Sequence, residues 1–137
     1  MLYHGVDLVE VARIRRVVMR YGQRFLLRVY TSIEQADCTA AAEGIRYEAL
    51  AARWAAKEAC AKALGIGLRG LGALAVTDQP RAGFQEIEVI RDATGRPLLR
   101  LSGVAAETAS ALGIRALVVS LSHTHELAVA SVVGWAG

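Results

Sequence analysis

Apolar and polar residues alternate from Leu2 to Val9, with Leu2, Val6 and Leu8 in one set and Tyr3, Asp7 and Val9 in the other. That period of two predicts a strand, and Gly5 within it permits close backbone approach. The period then lengthens. Ile14, Val17, Val18 and Tyr21 fall on one side of a wheel turning ~100° per residue, which predicts a helix from about Glu10 to Tyr21, ended or bent by Gly22. Gln23 to Tyr30 reads as a second short helical piece. Thr31-Ser-Ile-Glu34 fits a capping box and predicts a short helix to about Cys38. From about Ala40 to Leu64 alanine, leucine and long polar residues predict the longest helix, ~36 Å if unbroken, with Gly65 as its stop.

Gly65 to Gly83 is glycine-rich and reads as a loop. Phe84 to Arg91 and Pro97 to Leu101 are strands joined by the turn Asp92-Ala-Thr-Gly95. Ser102 is placed to cap a helix running to Leu112, which Gly113 stops. Arg115 to Leu121 and Glu126 to Val133 are two apolar runs, with Ser122-His-Thr-His125 as a tight antiparallel connection. This order predicts an α+β fold, a mostly antiparallel sheet packed on a long helix, as one domain over residues 1–137. A doubly wound nucleotide fold is disfavoured, because neither G-x-G-x-x-G after the first strand nor G-x-x-x-x-G-K-S/T is present.

Composition narrows this further. With 137 residues and 54% hydrophobic content, the chain can build one core and not two. No apolar run is long enough for a bilayer, and Met-Leu-Tyr-His-Gly lacks the features of a signal peptide, so a cytoplasmic protein without membrane contact is expected. Cys38 and Cys60 form no metal spacing and read as free thiols. The net charge of +3 favours anionic partners. Arg13, Arg16 and Arg20 form a helical stripe, and Arg15, Arg24 and Arg28 enlarge it without interspersed acids. Such a stripe is commonly a solvated face; it can also steer an acidic protein or a polyanion. A nucleic-acid module is the weaker alternative, because the stripe lacks aromatic residues and the chain lacks a known nucleic-acid motif.

The candidate chemistry rests on Asp7 and on Trp54-Ala-Ala-Lys57-Glu58-Ala-Cys-Ala-Lys62-Ala-Leu-Gly65. Asp7 alone could simply end a strand. Glu58 and Lys62 alone could be a solvated i,i+4 pair contributing ~0.3–0.5 kcal/mol. Positions 54, 58, 61, 62 and 65 share a helix side, however, so Trp54 and Gly65 should border the carboxylate. If folding brings Asp7 to Glu58, two hard oxygen ligands with nearby lysines suit Mg²⁺ and a phosphate-bearing substrate. A two-carboxylate hydrolase is disfavoured, since Lys57 and Lys62 would depress the raised pKa that a general acid needs. Ser122-His123-Thr124 reads either as ordinary turn chemistry or as an anion nest. His123 and His125 make a poor zinc pair, with only His4 left as a third imidazole.

These residues resemble a known family. Gly5-Val-Asp7-Leu-Val-Glu-Val-Ala-Arg13-Ile14 is similar to the opening motif of the holo-acyl-carrier-protein synthases, the short single-domain class of 4′-phosphopantetheinyl transferases. Trp54 to Gly65 resembles their second motif, F-A-x-K-E-A-x-x-K-A, and Ser122-His123-Thr124 resembles a C-terminal one. The resemblance implies Mg²⁺-dependent transfer of the phosphopantetheine arm of coenzyme A to a serine of an apo acyl carrier protein, releasing 3′,5′-ADP, in fatty-acid or polyketide synthesis. It implies Asp7 and Glu58 as metal ligands and Asp7, Glu58 and Lys62 as catalytic residues. The base is left open between Glu58 and metal-bound water. It places Lys57, Gly65, Gly95, Arg96, Pro97, Ser122, His123 and Thr124 at coenzyme A. Arg46 and Arg53 are expected to reach a neighbouring subunit's nucleotide, because the family is trimeric with sites at subunit interfaces. Arg13, Arg20, Arg24 and Arg28, with Phe25, are expected to dock the acidic carrier. This chain departs from the family pattern at Trp54, at Ile66, at His125 and in a longer loop from Leu71 to Gly83.

Overall fold

The computed structural model describes residues 1–69 and 81–137. Strand β1 (Leu2–Glu10) leads into helix α1 (Val11–Tyr21), and Gly22, at φ +56°, turns the chain into α2 (Gln23–Val29). Helix α3 (Ser32–Asp37) starts at the expected capping box. Glu34 N donates to Thr31 Oγ1, and Thr31 N donates to Glu34 Oε1. The short strands β2 (Thr39–Ala40) and β3 (Gly44–Ile45) precede α4 (Tyr47–Leu64). Strand β4 (Gly67–Arg69) pairs in parallel with β5 (Arg81–Gly83). A 3-10 turn (Phe84–Glu86), the hairpin β6 (Ile87–Arg91) and β7 (Pro97–Leu101), helix α5 (Gly103–Ala111) and strands β8 (Ala116–His123) and β9 (Leu127–Trp135) complete the described chain.

The expected α+β architecture is present. The main sheet is antiparallel in the order β1-β9-β8, and α4 lies across its inner face. Their approach is set by small residues. A Cβ on Gly5 would stand 1.9 Å from Ala59 O, so strand and helix backbones touch there. Ala51, Ala52, Ala55, Ala56, Ala59, Ala61 and Ala63 are all buried, and α4 is enclosed on most sides. Gly65 takes the left-handed conformation at φ +71° and ends the helix. Ile66 N bonds Ala61 O at 3.0 Å and Gly65 N bonds Lys62 O at 3.2 Å, the paired bonds of a Schellman stop.

Five expectations are corrected. The long helix begins at Tyr47, not near Ala40, because Gly44 at φ +73° folds Thr39–Ile45 into a small hairpin. At 18 residues α4 is therefore ~27 Å long. Phe84 belongs to the 3-10 turn, not to a strand; its ring stacks on Trp54 with centroids 4.7 Å apart. Ser102 makes no side-chain cap. The carboxylate of Glu86 takes the Val104 N–H instead, capping α5 from a distance. The chain reversal between β8 and β9 falls at 124–126, so Ser122 and His123 are strand residues, and Thr124 Oγ1 accepts Glu126 N and Leu127 N. Part of the expected Gly65 to Gly83 loop is the β4–β5 pair. The expectation of a long loop from Leu71 falls largely outside the described residues.

Glu86 also holds that pair. Its second carboxylate oxygen accepts Arg69 Nη2 at 2.7 Å and Gly83 N at 2.5 Å, while Arg69 Nη1 donates to Arg81 O at 2.9 Å. Among the described residues no helix is long and apolar enough to cross a membrane.

Candidate active site

Asp7 lies on the inward-facing set of β1, which the Gly5 contact presses against α4. One helical turn separates Glu58 from Lys62, so both can face the strand. Lys62 Nζ donates to Asp7 Oδ1 at 3.1 Å and to Val6 O at 3.0 Å, leaving one N–H available among the described residues. Glu58 is half-buried. Burial is the main cause that raises its carboxyl pKa; the Asp7 charge raises it further, while Lys62 and Arg13 oppose. Asp7, Glu58, Lys62 and Arg13 therefore share one electrostatic neighbourhood at the edge of the β1–α4 seam. Gly65 closes the same end of α4, three residues beyond Lys62.

This neighbourhood fits a hard divalent cation. The Glu58 carboxyl, whose pKa is raised by burial and by the Asp7 charge, is relieved by a positive charge shared with Asp7. Mg²⁺ typically takes one or two carboxylates and fills its remaining positions with water and phosphate oxygens. Among the described residues no group of three or more His, Cys, Asp or Glu side chains forms an all-protein cage.

The basic stripe borders this site. Arg13, Arg24 and Arg28 rim a groove of about 450 Å³ that Ile14, Val17, Tyr21, Phe25 and Trp54 also line. Arg13 reaches over the Trp54 ring, 6.0 Å from its centroid. Phe25 does not project as a contact; it is buried, set edge-on to Tyr30, and forms the floor. Arg20 stays outside the groove, over Tyr21 at 5.4 Å. Trp54 only partly borders Glu58, because its ring is taken up by Phe84 and Phe25.

Other expected coenzyme A residues lie elsewhere. Lys57, beside Glu58 in sequence, points ~100° away around the helix. It is buried, and its ammonium donates to Glu34 Oε1, Phe84 O and Ile87 O, so it has no donor left for a nucleotide. Burial lowers its pKa and Glu34 opposes that shift. Arg53 is only 1% exposed and faces inward, 3.6 Å from Asp37 Oδ2. Its Nε and Nη2 have no hydrogen-bond partner among the described residues. Arg46 Nη2 bonds Asp37 O. These two arginines thus gather around the α3 C-terminus, where the fold uses at least part of their donor capacity.

Ser122, His123 and Thr124 sit near the opposite end of α4. His125 Nδ1 is 3.5 Å from Glu48 Oε1. The Glu48 carboxyl pKa is lowered, first by its own backbone hydrogen bond and then by the two nearby histidines, His125 and His123. Ten residues of helix, ~15 Å, separate Glu48 from Glu58. The turn at Gly95 (φ +86°) is held by Asp92 Oδ1, which accepts Thr94 N and Arg96 N. Arg96 and Pro97 line a cavity of about 420 Å³ with Ser120, Ser131 and Val133 on the outer side of the sheet. One chain thus gathers the residues expected for metal and phosphate chemistry in one place and those expected for the nucleotide in others. Sequence reading missed Glu34 and Glu86. Glu34 was visible only as a capping residue, though a lysine inside a helix of buried alanines must find a buried partner.

The profile of the 4′-phosphopantetheinyl transferase superfamily matches residues 4–130. The chain is 80% identical over 137 residues, 100% of both chains, to a holo-acyl-carrier-protein synthase of Chloroflexus aurantiacus. It is similar to the crystal structure of the Neisseria meningitidis holo-acyl-carrier-protein synthase, with TM-score 0.77, 31% identity and coverage of 97% of each chain. It is also similar to the Helicobacter pylori holo-acyl-carrier-protein synthase solved in complex with coenzyme A, with TM-score 0.74 and 30% identity over 96% of this chain and 99% of that one.

Proposed function

This chain belongs to the 4′-phosphopantetheinyl transferase superfamily, and we propose from that premise that it moves the phosphopantetheine arm of coenzyme A onto a serine of an apo acyl carrier protein. It is a transferase of the holo-acyl-carrier-protein synthase type. The observation that carries the residue assignment is the convergence of Asp7, Glu58 and Lys62 at one end of the β1–α4 seam.

In the proposed reaction the carrier serine oxygen attacks the phosphorus that bears the pantetheine. That phosphorus loses its bond to the bridging oxygen, and 3′,5′-ADP leaves. Glu58 is suited to take the serine proton, because its environment makes it more basic than an ordinary carboxylate. Lys62, 56% exposed and with a free N–H, is suited to neutralise charge on the departing phosphate. A magnesium ion held by Asp7 and Glu58 would supply further charge neutralisation on the diphosphate. The groove rimmed by Arg13, Arg24 and Arg28 beside Glu58 suits an acidic carrier, delivering its serine to the basic side of the site.

The complete enzyme is proposed to be a homotrimer assembled through the outer face of the main sheet. Leu2, Val6, Leu8, Val118 and Trp135 are exposed there, and contiguous apolar surface of this kind marks an interaction site. Such an assembly gives the dispersed set of Arg46, Arg96 and Ser122 to Thr124 a route to a neighbour's nucleotide, while Arg53 is buried and stays out of it. We propose one catalytic domain acting in the cytoplasm, in fatty-acid or polyketide synthesis. The test is incubation with coenzyme A, Mg²⁺ and apo carrier protein, read by mass spectrometry. The carrier should gain one phosphopantetheine; no gain with any of several apo carriers overturns the proposal.

A further inference from the structure

Lys57 and Glu34 are wholly buried, 2.8 Å apart. Lys57 Nζ also donates to Ile87 O at 2.7 Å and Phe84 O at 3.0 Å, which satisfies all three ammonium donors. Glu34 Oε1 further accepts Thr31 N at 3.0 Å, and Oε2 accepts Val89 N at 3.0 Å. Five directional bonds thus join the start of α3, the 3-10 turn, β6 and the middle of α4.

A buried ion pair is a poor source of net stability. Its desolvation cost offsets most of the attraction, and apolar side chains of similar size often serve as well or better. Its geometric effect is larger here because of what surrounds it. The sides of α4 are largely alanine, and alanines allow close approach but interlock weakly with a neighbour. On those sides side-chain interlocking therefore does little to resist rotation or sliding of the helix. The ammonium of Lys57 opposes that freedom with bonds to two backbone carbonyls and a carboxylate that is itself fixed at two backbone amides.

The geometry points to Lys57 and Glu34 as positioning residues, which fix the rotation and height of α4 so that Glu58 faces Asp7. This rests on the transferase reading above. Neither residue touches substrate; their effect passes through the helix backbone. A displacement of about 1 Å at a reacting group can lower a rate by up to about 100-fold.

The test is the apolar double variant Glu34→Leu/Lys57→Met, assayed beside the parent chain. We expect a lowered thermal midpoint, because the Thr31 and Val89 amides and the Phe84 and Ile87 carbonyls lose their partners, kcat lower by about tenfold or more well below that midpoint, and an unchanged KM for the carrier. Parental kcat at such a temperature overturns the proposal. So does a raised KM for coenzyme A at unchanged kcat, which marks direct nucleotide contact. If the double variant does not fold, Glu34→Gln decides, since its amide oxygen still accepts and Lys57 keeps both carbonyls. It should lower kcat by about threefold well below its melting temperature, and parental kcat there overturns the proposal. Transfer by the parent chain in the same assay separates this outcome from failure of the transferase reading.

Discussion

The two faces of the main sheet are built by alternate residues of the same strands, yet they are finished differently. The inner face is small and closed: Gly5, Val9, Ala128, Ala130 and Val132 are buried against the body of the protein. The outer face is large and open. Leu2, Val6 and Leu8 are 69%, 50% and 63% exposed, and His4 bonds Ser131 at 3.0 Å in their midst. Small residues serve the inner face because they let backbones meet, which carries Asp7 to α4. Bulky residues serve an open face only if something covers them. The proposed catalytic placement and the proposed assembly thus fall to alternate residues of one segment with a period of two.

Substitutions on each face should have separable effects. Asp7→Ala removes a proposed metal ligand from the inner face. It should lower transfer on the order of a thousandfold, ~4 kcal/mol, in single-turnover assays while leaving oligomeric mass unchanged. Gly5→Ala sets a methyl against Ala59 O and should cost about 3 kcal/mol by urea denaturation, because backbone cannot yield as a side chain does. Val6→Arg, next in sequence but outward, should weaken association by about 2 kcal/mol in sedimentation. A loss of folding as large as that of Gly5→Ala would erase the distinction between the faces. Glu58→Gln has the smallest expected effect on stability and the opposite sign. A carboxyl whose folded pKa is raised stabilises fully below its unfolded value of 4.5 and loses that contribution as pH rises through the folded pKa. The glutamine form should therefore be more stable at pH 7, by about 1 kcal/mol or less, with the gap closing below pH 4.5, and inactive in transfer.

Local chemistry was readable from the chain. Thr31 and Glu34 cap α3, Gly65 ends α4, and Gly5 lets two backbones meet because each role depends on residues adjacent in sequence or on the lack of a side chain. What could not be read depends on distant partners. The burial of Lys57 follows from Glu34 and from carbonyls at Phe84 and Ile87, and the idle Ser102 follows from Glu86 reaching α5 first. The hairpin at Thr39–Ile45 was hidden by alanines, whose helix preference of a few tenths of a kcal/mol per residue yields to a left-handed Gly44. The wheel put Trp54 beside Glu58 correctly by angle, but Phe84 arrived from another element to claim the ring.

The clasp made by Glu86 ties β4, β5 and the start of α5 to one carboxylate. The pairing of β4 with β5 thus depends on a residue that belongs to neither strand, and a single Glu86→Ala change should loosen all three elements together.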